Sequence, residues 1–298
     1  MKLIRKVFIY LWILIFQLSL NLEQLAINRE DALRILKCYN QTNIFSHKLE
    51  FLRLQGFDET PTSFLNDFYA ILPNLASLQV RNSSFETLFP TTGTINDHFS
   101  MQKVRNLFLF ELEKLECIFK EDFPLKNSLL QELETLRAIT CPSLTTLVPS
   151  STSFKSLTSL IVDNCKELVY LISSSTAKSL GQLTKLKIEN CQKLFDVVKI
   201  DEEKVDENII FENLEHLELT SLSSFRSFCY GKHKLDFPSL IGFIVKECPQ
   251  MEIFSSGVTI APYLTSVEVE NENMRWKIDL NTTIQQLFME KVWNLLKI

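Results

Sequence analysis

One short motif recurs along almost the whole chain and limits what the chain can fold into. Leucine or a similar residue occupies its first, fourth and sixth positions, and polar residues fill most positions between them, as in LTKLKIENC from Leu183. Copies begin 24 to 31 residues apart, at Leu49, Leu75, Val104, Leu133, Leu157, Leu183, Leu214, Leu240 and Leu264, with a weaker copy from Leu22. Because the copies share one register, each must adopt the same local structure and stack on its neighbours.

The motif and its spacing are those of a leucine-rich repeat. In a β-strand, alternate side chains face opposite sides, so the fourth and sixth positions, such as Leu186 and Ile188, point into the core together. The fifth and seventh positions must then face outward. The sequence therefore predicts an α/β fold, a curved, horseshoe-shaped solenoid with a parallel sheet on its concave face and irregular or short helical segments on its convex face.

The ninth position, where the chain leaves the strand, is small and weakly polar in many copies. Cysteine occupies it at Cys141, Cys165, Cys191 and Cys248. A free cysteine behaves as a small buried hydrophobe, so we predict a structural ladder of cysteines. The 7 cysteines contain no CxxC pair and the 4 histidines lie far from zinc-ligand spacing, so no metal site is expected.

Phenylalanine also recurs at a fixed place, three residues before the strand. It occupies this place at Phe154, Phe211 and Phe237, which predicts a second ladder through the core. No linker interrupts the pattern, so residues 22–274 are expected to form one solenoid of about nine to ten coils.

The two ends of the chain differ from the repeats. Residues 275–298 carry apolar residues at helical spacing, which predicts a helical cap over the last coil with Asn281 or Thr282 as its N-cap. A partner-binding helix is the alternative. Residues 1–21 combine basic residues with an apolar run too short to cross a bilayer as a helix. A leader, a buried first coil and an altered start stay open for this segment.

Composition and missing motifs exclude several kinds of function. The formal net charge of −5 and the 46% content of hydrophobic residues fit a folded protein and exclude a polybasic nucleic-acid binder. Only 6 glycines are present, and no Walker-type loop, GxSxG or HExxH pattern occurs. No nucleophile with a supporting acid is evident near His216. We therefore predict no enzyme activity, no cofactor, no nucleic-acid partner and no small-molecule substrate.

Longer segments resemble a known family. LPNLASLQVRNSSFETLFP from Leu72, the block Leu157–Val198 and DLNTTIQQLF from Asp279 are similar to the C-terminal leucine-rich-repeat region of plant coiled-coil, nucleotide-binding, leucine-rich-repeat disease resistance proteins. The resemblance covers residues 21–288. It implies recognition of a pathogen-derived or guarded host protein, or contact with a nucleotide-binding switch domain in trans, in the cytoplasm.

The resemblance does not extend to the coiled-coil and nucleotide-binding regions of these receptors, so ATP-driven switching is not carried over. A fragment, a truncated product and a stand-alone decoy stay open. Two other functions also stay open. A secreted or membrane-tethered receptor ectodomain is favoured by the N-terminal segment, although the LxGxIP segments typical of such ectodomains do not occur. A substrate adaptor for ubiquitin ligation needs an F-box-like segment ahead of the repeats, which the first twenty or so residues are too few to form.

The outward strand positions give the predicted binding face. It comprises Arg53, Arg81, Phe108, Phe110, Arg137, Asp163, Lys187, Glu189, Glu218, Lys246, Glu268 and Glu270. Arginines dominate its N-terminal half and acids its last coil, a gradient that could orient a partner of opposite polarity. The alternative is mixed charge that only keeps the sheet soluble. Phe108 and Phe110 form a predicted hot spot, unless a loop covers them or the register slips.

Overall fold

The computed structural model describes residues 22–42, 48–58, 64–65, 69, 71–89, 103–120, 131–150, 152–201 and 208–296, without the side chains of residues 38–42 and 295–296. The predictions for residues 1–21 lie outside the described residues.

One sheet of eleven strands runs along the concave face. Its strands are β1 (Gln24–Ile27), β2 (Phe51–Gln55), β3 (Ser77–Arg81), β5 (Asn106–Phe110), β7 (Thr135–Ile139), β8 (Ser159–Asp163), β10 (Lys185–Glu189), β13 (His216–Thr220), β16 (Gly242–Lys246), β18 (Val267–Glu268) and β19 (Met274–Arg275). The strands lie in chain order, and neighbours pair in parallel until β18 and β19, which are antiparallel. As far as β18, each strand is therefore one turn of a coil further along than its neighbour, which confirms the predicted solenoid.

Short strands and helices complete each coil away from the concave face. The remaining strands are β4 (Thr87–Phe89), β6 (Cys117–Phe119), β9 (Tyr170–Ser173), β11 (Asp196–Lys199), β12 (Ile209–Ile210), β14 (Ser227–Cys229), β15 (Leu235–Asp236) and β17 (Thr259–Ile260). The helices are α1 (Arg29–Thr42), α2 (Ser174–Ala177), a 3-10 helix (Glu270–Glu272) and α3 (Leu280–Leu296). Helix α1, with 14 residues, is longer than the short segments that the repeat predicts. The Asn28 side chain begins it by accepting a hydrogen bond from the backbone N–H of Asp31 at 3.0 Å.

Leucines and phenylalanines fill the core as the repeat predicts. Leu186 is buried on β10, and the register places it between Leu160 and Leu217 of the neighbouring strands. The rings of Phe211 and Phe237 stack with centroids 5.1 Å apart and an interplanar angle of 2°. Burying each such side chain stabilises the fold by roughly 1.5–3 kcal/mol. Each coil therefore adds one layer to a continuous column of apolar side chains.

The eighth position of the repeat has a left-handed backbone, which was not predicted from the sequence. Gly56 occupies it once, but the other copies place Asn, Thr, Ser or Glu there with φ near +50°, including Thr140 (φ 57°), Asn164 (φ 53°) and Asn190 (φ 53°). The backbone N–H of Asn164 donates to the carbonyl oxygen of Glu189 at 3.0 Å, and Thr140 donates in the same way to Asp163 at 2.9 Å. The left-handed residue thus extends the hydrogen bonding between strands by one residue before the chain turns.

The cysteines of the ninth position lie beneath this turn. Cys141, Cys165 and Cys191 are fully buried, and Cys248 is 2% exposed. Each thiol donates to the carbonyl oxygen two residues before it, as Cys191 does to Glu189 at 3.1 Å. Burial raises the pKa of Cys248 to about 12, so this thiol stays protonated at neutral pH. A buried, protonated thiol is a poor nucleophile and a poor metal ligand, consistent with a role in packing.

Helix α3 packs against the core at the C-terminal end of the column. Its Leu280 and Ile284 are buried. Asp279 is the N-cap, because its carboxylate accepts a hydrogen bond from the N–H of Thr282 at 2.7 Å. The prediction of Asn281 or Thr282 as N-cap was wrong. The Asn281 side chain instead bonds to the preceding coil, accepting from the N–H of Ser255 at 2.9 Å and donating to the carbonyl oxygen of Gly257 at 3.2 Å.

Candidate protein-binding face

The strand register arranges the outward side chains of the concave face in rows. The fifth-position row runs Arg53, Gln79, Phe108, Arg137, Ile161, Lys187, Glu218, Ile244 and Glu268. The seventh-position row runs Gln55, Arg81, Phe110, Ile139, Asp163, Glu189, Thr220 and Lys246. Since neighbouring strands are about 4.8 Å apart, each side chain packs against the next one in its row. Most are therefore half-buried.

Arginine and phenylalanine side chains pack together in the N-terminal half of these rows. The guanidinium carbon of Arg81 lies 5.4 Å from the ring centroid of Phe110, and that of Arg137 lies 5.6 Å from the ring centroid of Phe108. The register of β5 does not slip, because Leu109, between Phe108 and Phe110, is buried. The two rings are half-buried, with the arginines of flanking strands over them. These are cation–π contacts, which hold a guanidinium group in a defined place.

Arg53 completes this group of side chains. Its guanidinium carbon lies 5.8 Å from the ring centroid of Phe51, and its Nε donates to Oε1 of Gln79 at 2.6 Å. We call Arg53, Arg81, Phe108, Phe110 and Arg137 the arginine–phenylalanine patch.

Among the described residues, this patch has no acidic partner. In the part of the chain that the structure describes, none of its three arginines lies within ion-pair distance of a carboxylate. The Nε atom of Arg81 is also buried without a hydrogen-bond partner. Among the described residues, the patch therefore keeps positive charge and donor groups that no carboxylate uses.

The C-terminal half of the face, in contrast, neutralises its own charges. Nζ of Lys187 lies 2.9 Å from Glu189 and 2.8 Å from Glu218, with all three side chains about one quarter exposed. Partial burial lowers the pKa of Lys187, but hydrogen bonds to Glu218 and Glu189 outweigh it, and the pKa is raised. Lys246 and Glu268 form a further ion pair. Charges paired in this way are less available to a partner.

Two acidic residues predicted for the face lie at its edge. Asp163 ends β8, and its carboxylate accepts a hydrogen bond from the Asn190 side chain at 2.8 Å. Glu270 is not in a strand, because β18 ends at Glu268 and the chain enters the 3-10 helix. Its carboxylate contacts the backbone N–H of Glu247 at 3.2 Å and the amino group of Lys291 at 3.4 Å. The placement of Glu270 in the strand rows was therefore wrong.

A polar groove of about 810 Å³ borders the face at the carboxyl ends of the strands. Its lining includes the eighth-position residues Thr140, Asn164, Asn190 and Glu247. This groove was not predicted, because the repeat pattern alone did not assign the eighth position to a face. The recurrence of Asn, Thr and Ser at that position was the available signal.

Within the described ranges, no three His, Cys, Asp or Glu residues are grouped closely enough to hold a metal ion. His216 is exposed on β13. None of the helices in the described ranges has the length and apolar character needed to cross a bilayer.

Parallel coils filled with leucines, with a polar concave sheet, define a leucine-rich-repeat protein. Proteins of this class serve as scaffolds for protein interactions, and their solenoid is not a typical enzyme fold. The family profile of the leucine-rich repeats of plant RPS2-like disease resistance proteins matches residues 21–153 and 150–272. The chain belongs to this family, as the resemblance predicts. No significant match exists among curated proteins. Family membership supports a defence-related role in protein interaction.

Proposed function

We propose that this chain is a non-enzymatic recognition module of plant innate immunity that acts in the cytoplasm. Its ligand is a pathogen-derived or guarded host protein, or a nucleotide-binding switch domain on another chain. It binds this ligand through the concave face. The observation that carries the proposal is the arginine–phenylalanine patch, whose guanidinium groups lie over aromatic rings and, among the described residues, have no carboxylate within ion-pair distance.

The patch has the features of a binding hot spot. Arginine and aromatic residues dominate the energetics of many protein interfaces. Arg81 and Arg137 are already held against rings on neighbouring strands, so less side-chain entropy is lost when a partner binds. The strands beneath are fixed by the buried leucines. A partner would thus meet a preorganised surface.

In the test, the chain is fused to a biotin ligase and expressed in plant cells. The proteins that the wild-type fusion labels are compared with those that each variant labels. The variant Phe108→Ala/Phe110→Ala removes both rings of the patch. Phe195→Ala is the matched control, because Phe195 is 37% exposed and is also covered by an arginine, Arg226, at 4.9 Å, outside the concave rows.

We expect the double variant to fail to label some proteins that both the wild type and the control label. Thermal unfolding must show that both variants are folded. If the folded double variant labels the same proteins as the wild type, the concave face is not the binding surface.

A further inference from the structure

The concave face divides into two halves of different electrostatic character. From β1 to β7, its outward strand positions carry Arg53, Arg81 and Arg137 but no aspartate or glutamate. Asp163 on β8 is the first acid. Beyond it, lysines and glutamates alternate and pair with one another, as Lys187 does with Glu218. Positive charge is therefore concentrated at one end of the face.

The arginines at this end also have unused hydrogen-bonding capacity. A guanidinium group carries five N–H donors. Of the three arginines, Arg53 uses one donor on Gln79, whereas Arg81 and Arg137 donate no hydrogen bond in the described structure. The cation–π contacts with Phe108 and Phe110 place each guanidinium carbon over a ring and provide no hydrogen-bond acceptor oxygen for the N–H groups. Such edges match carboxylate oxygens.

Building on the proposed function, we infer that the segment bound at the arginine–phenylalanine patch is acidic. It is an extended stretch of a partner protein whose aspartate or glutamate carboxylates pair with Arg53, Arg81 and Arg137. Charge complementarity carries this assignment, since three unpaired cations must otherwise remain without counter-charges in the interface.

The spacing of the arginines fits an extended segment that crosses the strands. Arg53 and Arg137 lie three strands apart in one row. With about 4.8 Å between strands and about 3.4 Å per extended residue, roughly four residue steps cover that separation. Because alternate side chains of an extended chain share a face, carboxylates at every second residue place three acids over the patch.

The experiment measures binding of a fluorescein-labelled peptide of about ten residues, alternating glutamate and glycine, to the full chain by fluorescence anisotropy. The test variant is Arg81→Gln/Arg137→Gln. The control Arg105→Gln/Arg226→Gln removes the same charge outside the patch, where Arg105 pairs with Glu134 and Arg226 stacks on Phe195. If the test variant does not fold, the single change Arg137→Gln replaces it, because Arg137 is exposed.

We expect the test variant to bind at least about tenfold more weakly than the wild type, and the control about as tightly. Raising the salt from about 0.05 to 0.5 M should weaken wild-type binding, as screening requires. Equal binding by the test variant, or no binding by the wild type, overturns the acidic-segment inference. Tighter binding of an oligothymidylate of the same length overturns it in favour of nucleic acid.

These outcomes are separable from the failure of the proposed function. If the peptide fails to bind but the Phe108→Ala/Phe110→Ala chain loses its labelled proteins, the concave face binds a protein that is not acidic there. The opposite result is that the peptide binds through the arginines while the Phe108→Ala/Phe110→Ala chain labels the same proteins as the wild type. In that case the patch binds acidic segments but is not the surface that binds the partner in the cell.

Discussion

Replacing Thr140 by asparagine should stabilise the protein, because Thr140 is a β-branched residue in the left-handed region (φ 57°). Left-handed backbone costs a typical residue about 1–2 kcal/mol, and asparagine tolerates it better. The equivalent residues of the next two coils, Asn164 and Asn190, are already asparagines. Within the described residues, the Thr140 side chain makes one hydrogen bond, a long one in which its Oγ1 accepts from the Asn164 side chain at 3.4 Å. An asparagine oxygen can also accept this bond.

The expected gain is about 0.5–1 kcal/mol in the free energy of unfolding, since asparagine removes part of the strain and none of the backbone bonding. The reverse change, Asn190→Thr, should lose at least as much. It introduces the strain and also removes the hydrogen bond from Asn190 to Asp163 at 2.8 Å. The matched control is Thr265→Asn, at an exposed position without positive φ, where a change within about 0.5 kcal/mol is expected.

The assay is urea denaturation followed by circular dichroism, combined with hydrogen exchange of the Thr140 amide. This amide donates to Asp163 across the strands, so its protection reports the local turn directly. Slower exchange and a higher midpoint in Thr140→Asn would support the argument. If Thr140→Asn destabilises the protein while Asn190→Thr leaves it unchanged, the left-handed turn does not carry the strain assigned to it.

Two further predictions concern the buried thiols and the cap. Burial raises the pKa of Cys229 and Cys248 from 9.0 to about 12, so their contribution to stability is complete below pH 9 and declines as the pH rises towards 12. Unfolding midpoints measured across this range should fall, and less steeply in Cys229→Ala. Asp279→Ala should destabilise helix α3 by about 1 kcal/mol through loss of its N-cap. Faster hydrogen exchange in the first turn of α3 would show this; unchanged exchange would rule it out.

Much of the fold could be predicted because the repeat encodes burial position by position. Leu186 and Ile188 alternate with Lys187 and Glu189, and that alternation alone fixes which side chains enter the core. Helix α1 was missed because the copy from Leu22 is weak. The left-handed turn was not predicted because it is formed by residues such as Glu111 and Thr140. Unlike glycine, these residue types do not indicate a positive φ in a sequence.

The candidate face could be predicted as a set of positions but not as a set of contacts. The motif placed Arg137 and Phe108 in the same row, yet the length of each coil varies, and only the register shows that the two side chains touch. Glu270 departs from the rows because the chain reverses into β19, a local event after the last full repeat. Asn281 likewise has a tertiary role, towards Ser255 and Gly257, that local helix signals do not contain.

The pairing of charges on the concave sheet sets how easily each part of it can evolve. A change at Lys187 leaves Glu189 and Glu218 without their counter-ion, so substitutions there must be compensated on a neighbouring coil. Arg81 and Arg137 contact rings and have no carboxylate partner among the described residues, so a substitution there leaves no counter-ion unpaired. New specificities can thus arise at one end of the solenoid by single substitutions while the other end keeps its sequence.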